Sequence, residues 1–219
     1  MVAVGVIEPV KESEWVSPMI FLEKNTKGEI KICVYLRKLN DACVHDPFPT
    51  PFIDEVFHNV GGHEAYSFTD MFLGYHQIII VLDDRNKTTF AAEWGPFQYM
   101  VMPFILKNVL AIFFRVVVTA FKDYIHKLLE VYFDDLTVFG LLQKHIVILR
   151  LMLDTCRQHQ ISLNLKKCIF CVSCGILLGY IVWKQWFLVD LVKIEVIVKL
   201  PTPKMDKKYA QQLDTLATT

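Results

Sequence analysis

Residues 131–139 read VYFDDLTVF. Asp134 and Asp135 stand side by side between two apolar runs, where an isolated buried carboxylate is strongly destabilising. A β-hairpin resolves the conflict. With Asp134–Asp135 as a two-residue turn, both carboxylates rise to an exposed tip while Val131, Phe133, Leu136 and Val138 stay in the sheet. Taken alone, the stretch reads equally as an ordinary acidic turn, because Asp is favoured in turns for local hydrogen-bonding reasons.

A second stretch, SFTDMFLGYHQI (residues 67–78), places Asp70 at the end of another strand-like run. If the two strands are neighbours in one sheet, Asp70, Asp134 and Asp135 form a cluster of like charges that needs a cation. Hard oxygen donors point to Mg²⁺, with Mn²⁺ as the alternative, rather than zinc. Three carboxylates can hold two such ions to clamp the attacking and leaving oxygens of an in-line displacement.

The rest of the chain supplies the frame. Its 219 residues are 53% hydrophobic, enough for a sizeable core, and 23 basic residues balance 23 acidic ones. That balance by itself makes no prediction of nucleic-acid or membrane binding. No stretch reaches the ~18 consecutive apolar residues of a membrane span; the strongest, residues 109–121, is interrupted by Arg115. The first residues lack the basic-then-apolar order of a signal peptide. The expected location is therefore intracellular, cytoplasmic or nuclear, with the six cysteines as thiols. Cys168, Cys171 and Cys174 (CIFCVSC) have metal-ligand spacing but no second half-site, and read as thiols near a strand.

Periodicity predicts a hairpin across FLEKNTKGEIKICVYL, and an extended connector over residues 45–52 with three prolines. A helix from Ile53 ends at Gly61 and Gly62. Strands are expected at residues 65–71 and 75–82, a turn or loop at LDDRNKTT, and a hairpin turning at Trp94–Gly95–Pro96. Helices are expected over residues 108–129 and 144–158, then short strands to residue 189, a linker at Pro201 and Pro203, and a disordered polar tail. The resulting β-α-β-β-α-β order fits a ferredoxin-like α+β layer.

Several blocks, in this order, carry a resemblance: VIEPVKESEWVSP, CVYLRKLN, PFPTPFIDEV, FTDMFLGYHQI, KTTF, VMPF, VYFDDLTVF, LNLKKCIF, LLGYIV and KLPTPK. The chain resembles the reverse transcriptase domain of gypsy-class long-terminal-repeat retrotransposons. The resemblance implies a right-hand polymerase fold over residues 1–204, with fingers at about 1–64 and 83–106 and a ferredoxin-like palm at about 65–82 and 107–189. Thumb and connection would be truncated, and residues 205–219 a tail. It implies RNA-directed DNA synthesis on a primed RNA or DNA template from deoxynucleoside triphosphates, with two Mg²⁺ ions on Asp70, Asp134 and Asp135. It assigns Lys24, Lys31, Tyr75 and Phe104 to the nucleotide, with Tyr75 crowding a ribose 2′-hydroxyl. Leu178, Gly179 and Tyr180 fall to the primer terminus. Lys166 or Lys167 lies near a family lysine that is a candidate proton donor to departing pyrophosphate.

The chain also departs from the family pattern. Lys31 stands where arginine is usual and loses the planar fork. Tyr35–Leu36 interrupt a Cys-Val-Asp-Tyr-Arg block. Ile105 replaces a glycine, Val109–Leu110 replace Ala-Pro, and Phe114 replaces a glutamine. Ile105 is expected to crowd the nucleotide pocket. The alternative reading is thus a catalytically degenerate relic with the same fold, at most a nucleic-acid-binding module.

Overall fold

The computed structural model describes residues 1–24, 29–189, 194–195 and 199, with the backbone alone for residues 21–24 and 29–32. The predicted linker and tail lie outside these residues. The chain begins with β1 (Ile7–Pro9) and the hairpin β2 (Met19–Lys24) and β3 (Glu29–Val34), as expected, followed by α1 (Arg37–Ala42). Residues 45–52 are extended, since three prolines remove donors and bias their predecessors away from helix. Next come α2 (Ile53–Val60), β4 (Ala65–Asp70), α3 (Leu82–Arg85), β5 (Phe90–Ala92) and β6 (Gly95–Tyr99). The second half contains α4 (Val109–Phe121), β7 (Leu129–Tyr132), β8 (Asp135–Gly140), α5 (Leu142–Gln158) and β9 (Ile169–Val172). A three-stranded meander closes it: β10 (Cys174–Leu177), β11 (Tyr180–Trp183) and β12 (Trp186–Val189).

The sheet that positions the acidic residues has the order β7-β8-β4-β9, antiparallel throughout. The succession β4-α4-β7-β8-α5-β9 is the predicted β-α-β-β-α-β layer, with α3, β5 and β6 inserted after its first strand. Side chains alternate across a strand. Leu136 and Val138 of β8 therefore face α4 and α5, where they are buried with Phe113, Phe114, Val117, Phe121, Ile148 and Met152. On the other face, Tyr66 and Phe139 pack with Val56, Phe57 and Val60 of α2 and with Leu177 and Val182 of the meander. Asp70 and Asp135 follow the parity of Tyr66, Phe68 and Phe139, so they open toward the meander. A third cluster, around Val34, Leu36, Leu39, Phe90, Tyr99 and Met102, holds the N-terminal half together.

Three expectations are corrected and one is sharpened. Residues 75–82 are not a strand: Leu73 takes φ 47, Gly74–Gln77 form a 3-10 turn, and the following extended residues contribute only the isolated bridge Ile79↔Val101. LDDRNKTT, expected as a turn or loop, is more regular: α3 followed by a 3-10 turn, closed by Lys87 Nζ on Asp84 and by Thr88 and Thr89 hydroxyls on backbone carbonyls. The β5–β6 turn is Glu93–Trp94, because Ala92 pairs with Gly95. The long helix stops at Phe121, where Tyr124 and Ile125 N–H both return to the Phe121 carbonyl and the chain reverses into β7. Among the described residues no helix is long and apolar enough to cross a membrane.

Candidate active site

The acidic hairpin is shifted by one residue from its expected form. Tyr132 pairs with Asp135, so the two-residue turn is Phe133–Asp134, with Phe133 at φ 53. Asp135 is consequently the first residue of β8 and sits directly opposite Asp70 of β4. The strand ends are also joined by the Met71 N–H, which donates to the Asp134 carbonyl at 2.9 Å. Neither carboxylate is at an exposed tip. Asp134 and Asp135 are both half-buried, and Asp134 Oδ1 is buried with no hydrogen-bond partner.

Electrostatics follow from this placement. Burial, then the neighbouring Asp70, pushes the Asp134 carboxyl above the usual carboxylate range. Burial, then Asp70 and Asp134, does the same to Asp135. Like charges directly across a ladder are destabilising. A cation relieves them: Lys167 Nζ donates to Asp70 Oδ2 at 2.9 Å, and that bond holds the ammonium's own pKa high. A carboxyl whose folded pKa exceeds its unfolded one adds stability below the unfolded value and loses it as pH rises through the folded one. The contribution of these two carboxyls to the unfolding free energy of metal-free protein is therefore expected to rise as pH falls from neutrality to about 4, against the opposite contribution of Asp46 and Glu64, whose pKa values are lowered. Urea titrations should show that rise reduced in Asp134→Asn/Asp135→Asn protein. An unchanged slope would mean that the two carboxyls are not strained.

Two concave surfaces meet at Asp70 and Lys167. One is lined by Gly74, Tyr75, His76, Phe104, Asn164 and Asp134. The other is lined by Asp135, Thr137, Ile169, Ile176 and Leu178. Gly74 lets the first one form. A Cβ there would lie 2.6 Å from the buried Phe113 Cζ and 3.2 Å from Asp134 Oδ1. Phe113 also backs Tyr75 edge-on, with ring centroids 5.3 Å apart.

Of the residues singled out from sequence, Asp70, Asp134, Tyr75 and Phe104 line the first surface, and Asp70, Asp135 and Leu178 the second. Leu178–Gly179 are the turn between β10 and β11, at φ 51 and 80. Tyr180 packs on Phe57 and Phe187 and lines neither surface. Lys24 and Lys31 lie on β2 and β3, and their side chains are outside the described residues. Ile105 is not part of the first surface. It packs into the N-terminal core, and its carbonyl accepts from Asn40 Nδ2 at 2.9 Å. All six cysteines are free, and burial pushes Cys156 up to about 12.

Sequence reasoning missed two tethers. Asn40 grips the segment carrying Phe104 at both ends of its amide, since Oδ1 accepts from Lys107 N–H at 2.8 Å. Gln77 donates to the Phe72 and Ser162 carbonyls and accepts from Ser162 N–H. Both act over long sequence separations that no local pattern reveals.

The donor chemistry fits a hard divalent ion, because the cluster is all carboxylate oxygen, includes one buried oxygen without a partner, and already attracts an ammonium. Among the described residues, however, no three His, Cys, Asp or Glu side chains are gathered as a ready ligand set. Asp70 is turned to Lys167 instead.

Comparisons with known proteins bear on the family and the fold. The family described as reverse transcriptase (RNA-dependent DNA polymerase) matches residues 22–182. The chain is 30% identical over 214 residues to the retrovirus-related Pol polyprotein from transposon opus of Drosophila melanogaster, covering 95% of this chain and 21% of that protein. It is 28% identical over 201 residues to the corresponding polyprotein from transposon 297 of the same organism, covering 91% and 19%. It thus spans about a fifth of the length of these relatives. Among solved structures, the foamy viral protease-reverse transcriptase in complex with RNA/DNA hybrid superposes with a TM-score of 0.79 at 18% identity, over 96% of this chain and 28% of that one. At that identity the likeness shows the fold alone.

Proposed function

The chain belongs to the reverse transcriptase (RNA-dependent DNA polymerase) family, and from that premise we propose that it adds deoxynucleotides to a primer 3′-hydroxyl on an RNA or DNA template. The observation that carries this reading is the register of the sheet, which sets Asp70 opposite Asp135 with Asp134 in the adjoining turn. Asp70, Asp134 and Asp135 would hold two Mg²⁺ ions, or Mn²⁺, which when bound lower the pKa of the attacking hydroxyl and stabilise charge on the phosphoryl group. The remaining work falls to the protein. Phe104 and Tyr75 shape the nucleotide subsite, Lys24 and Lys31 meet the triphosphate, and Leu178, Gly179 and Tyr180 support the primer end.

In this proposal residues 1–64 and 83–106 act as fingers, and residues 65–82 and 107–189 as palm, in an intracellular setting. The packing of Ile105 into the N-terminal core, off the first surface, favours this reading over a degenerate relic. Primer extension on an RNA template tests the reading. Extension in Mg²⁺ or Mn²⁺ that disappears with Asp134→Ala supports it, and its absence from folded protein refutes it.

Tyr75 gives a finer test. It is held between the site and Phe113, and burial followed by Asp134 pushes its phenol pKa up, so it stays neutral. Tyr75→Ala is expected to relax the preference for deoxy- over ribonucleotides by roughly tenfold or more. An unchanged ratio in competition assays would remove Tyr75 from sugar selection.

A further inference from the structure

The ammonium on Asp70 is placed by a braced segment. Asn164 N–H donates to the Asp70 carbonyl at 2.8 Å, Phe72 N–H to the Ser162 carbonyl at 2.9 Å, and Lys167 N–H to the Asn164 carbonyl at 2.9 Å. Gln77 locks the same segment, donating to the Ser162 carbonyl at 3.1 Å and accepting from Ser162 N–H at 2.8 Å. Residues 162–167 are thereby fastened along the end of β4, and Lys167 projects from them over the carboxylates. Its side chain is 64% exposed while that of Asp70 is 21% exposed, so the ammonium can leave toward solvent without disturbing the core.

We propose that Lys167 is the resident counter-cation of the cluster, that a divalent ion takes Asp70 only by displacing it, and that Lys167 thereby sets the metal concentration at which the site fills. The inference rests on the metal reading above and deepens it. Two effects act in one direction. The ammonium occupies an oxygen that the metal needs, and while it remains close its charge repels a doubly charged ion. A lysine that served only to tether its segment would act oppositely, because its removal would loosen Asp70 and weaken metal binding.

The test is Mn²⁺ binding to the 219-residue protein alone, without nucleotide or nucleic acid, followed by the electron paramagnetic resonance signal of free Mn²⁺. Circular dichroism checks that each variant is folded. Lys167→Met is expected to bind Mn²⁺ about tenfold more tightly than wild type, equivalent to about 1.4 kcal/mol. Lys167→Arg should keep wild-type affinity, and Asp134→Asn should lose binding. If Lys167→Met binds no more tightly while Asp134→Asn still abolishes binding, the metal reading stands and the placeholder is refuted. If Lys167→Arg tightens binding as much as Lys167→Met, charge is not the cause and the placeholder is again refuted. If neither wild type nor Lys167→Met binds Mn²⁺ at millimolar concentration, the metal reading falls and takes this inference with it.

Discussion

Asp134→Asn is expected to lower nucleotide addition by about a thousandfold or more, roughly 4 kcal/mol of transition-state stabilisation, while making the metal-free protein more stable. The two effects have one origin. Asp134 is held half-buried beside Asp70, with one oxygen unpartnered, because the hairpin turn leaves it no other place. Ionisation there is opposed first by burial and then by Asp70. Asparagine keeps the shape and removes the charge, so the strain disappears together with the metal ligand. The stability gain is expected to be on the order of 1 kcal/mol, the size of a typical single stabilising substitution. Urea unfolding in chelator, paired with primer extension, reads both. A less stable Asp134→Asn protein would mean that the carboxylate is a structural acceptor.

Phe113→Ala carries the largest expected loss of stability, about 3–5 kcal/mol. The ring is 3% exposed within the cluster that the sheet forms with α4 and α5, and lies against both Gly74 and Tyr75. Removing it leaves a cavity that rigid neighbours on α4, β7 and β8 cannot fill, a large fraction of the ~5–15 kcal/mol available to a domain. It also takes the backing from Tyr75. Phe121→Ala, fully buried about 12 Å further along the same helix, should cost a similar amount without touching Tyr75. Urea titration compares the two, and nucleotide competition by the folded fraction separates them, since only Phe113→Ala should alter sugar selection. A loss under about 1.5 kcal/mol for Phe113→Ala would mean that this junction is loosely packed.

What was legible in the sequence is what local pattern determines. Alternation in β4 and β8 put Asp70 and the acidic pair at strand ends, and helical spacing announced α2 and α5 nearly to the residue. What escaped depends on partners distant in sequence. An apolar phenylalanine at positive φ is a poor turn residue by propensity, yet the Tyr132–Asp135 pairing imposes it and moves Asp134 from an exposed tip into a half-buried corner. Residues 78–80 have a strand's composition and do bond across to residues 100–102, but the 3-10 turn at Gly74 leaves too little length for a ladder. Ile105 looked obstructive because its neighbours could not be known; the N-terminal core accepts its side chain. Nothing in the spacing of Lys166 and Lys167 reveals which of them bonds Asp70; in the structure it is Lys167.

The central claim is that this sheet register makes a working nucleotidyl-transfer centre. The most direct measurement is single-nucleotide incorporation at low salt on a DNA primer annealed to RNA, with Mg²⁺ or Mn²⁺, by the folded 219-residue protein. The account predicts template-directed addition of the complementary deoxynucleotide that Asp134→Asn abolishes. No incorporation with either metal, or incorporation that survives Asp134→Asn, would contradict it.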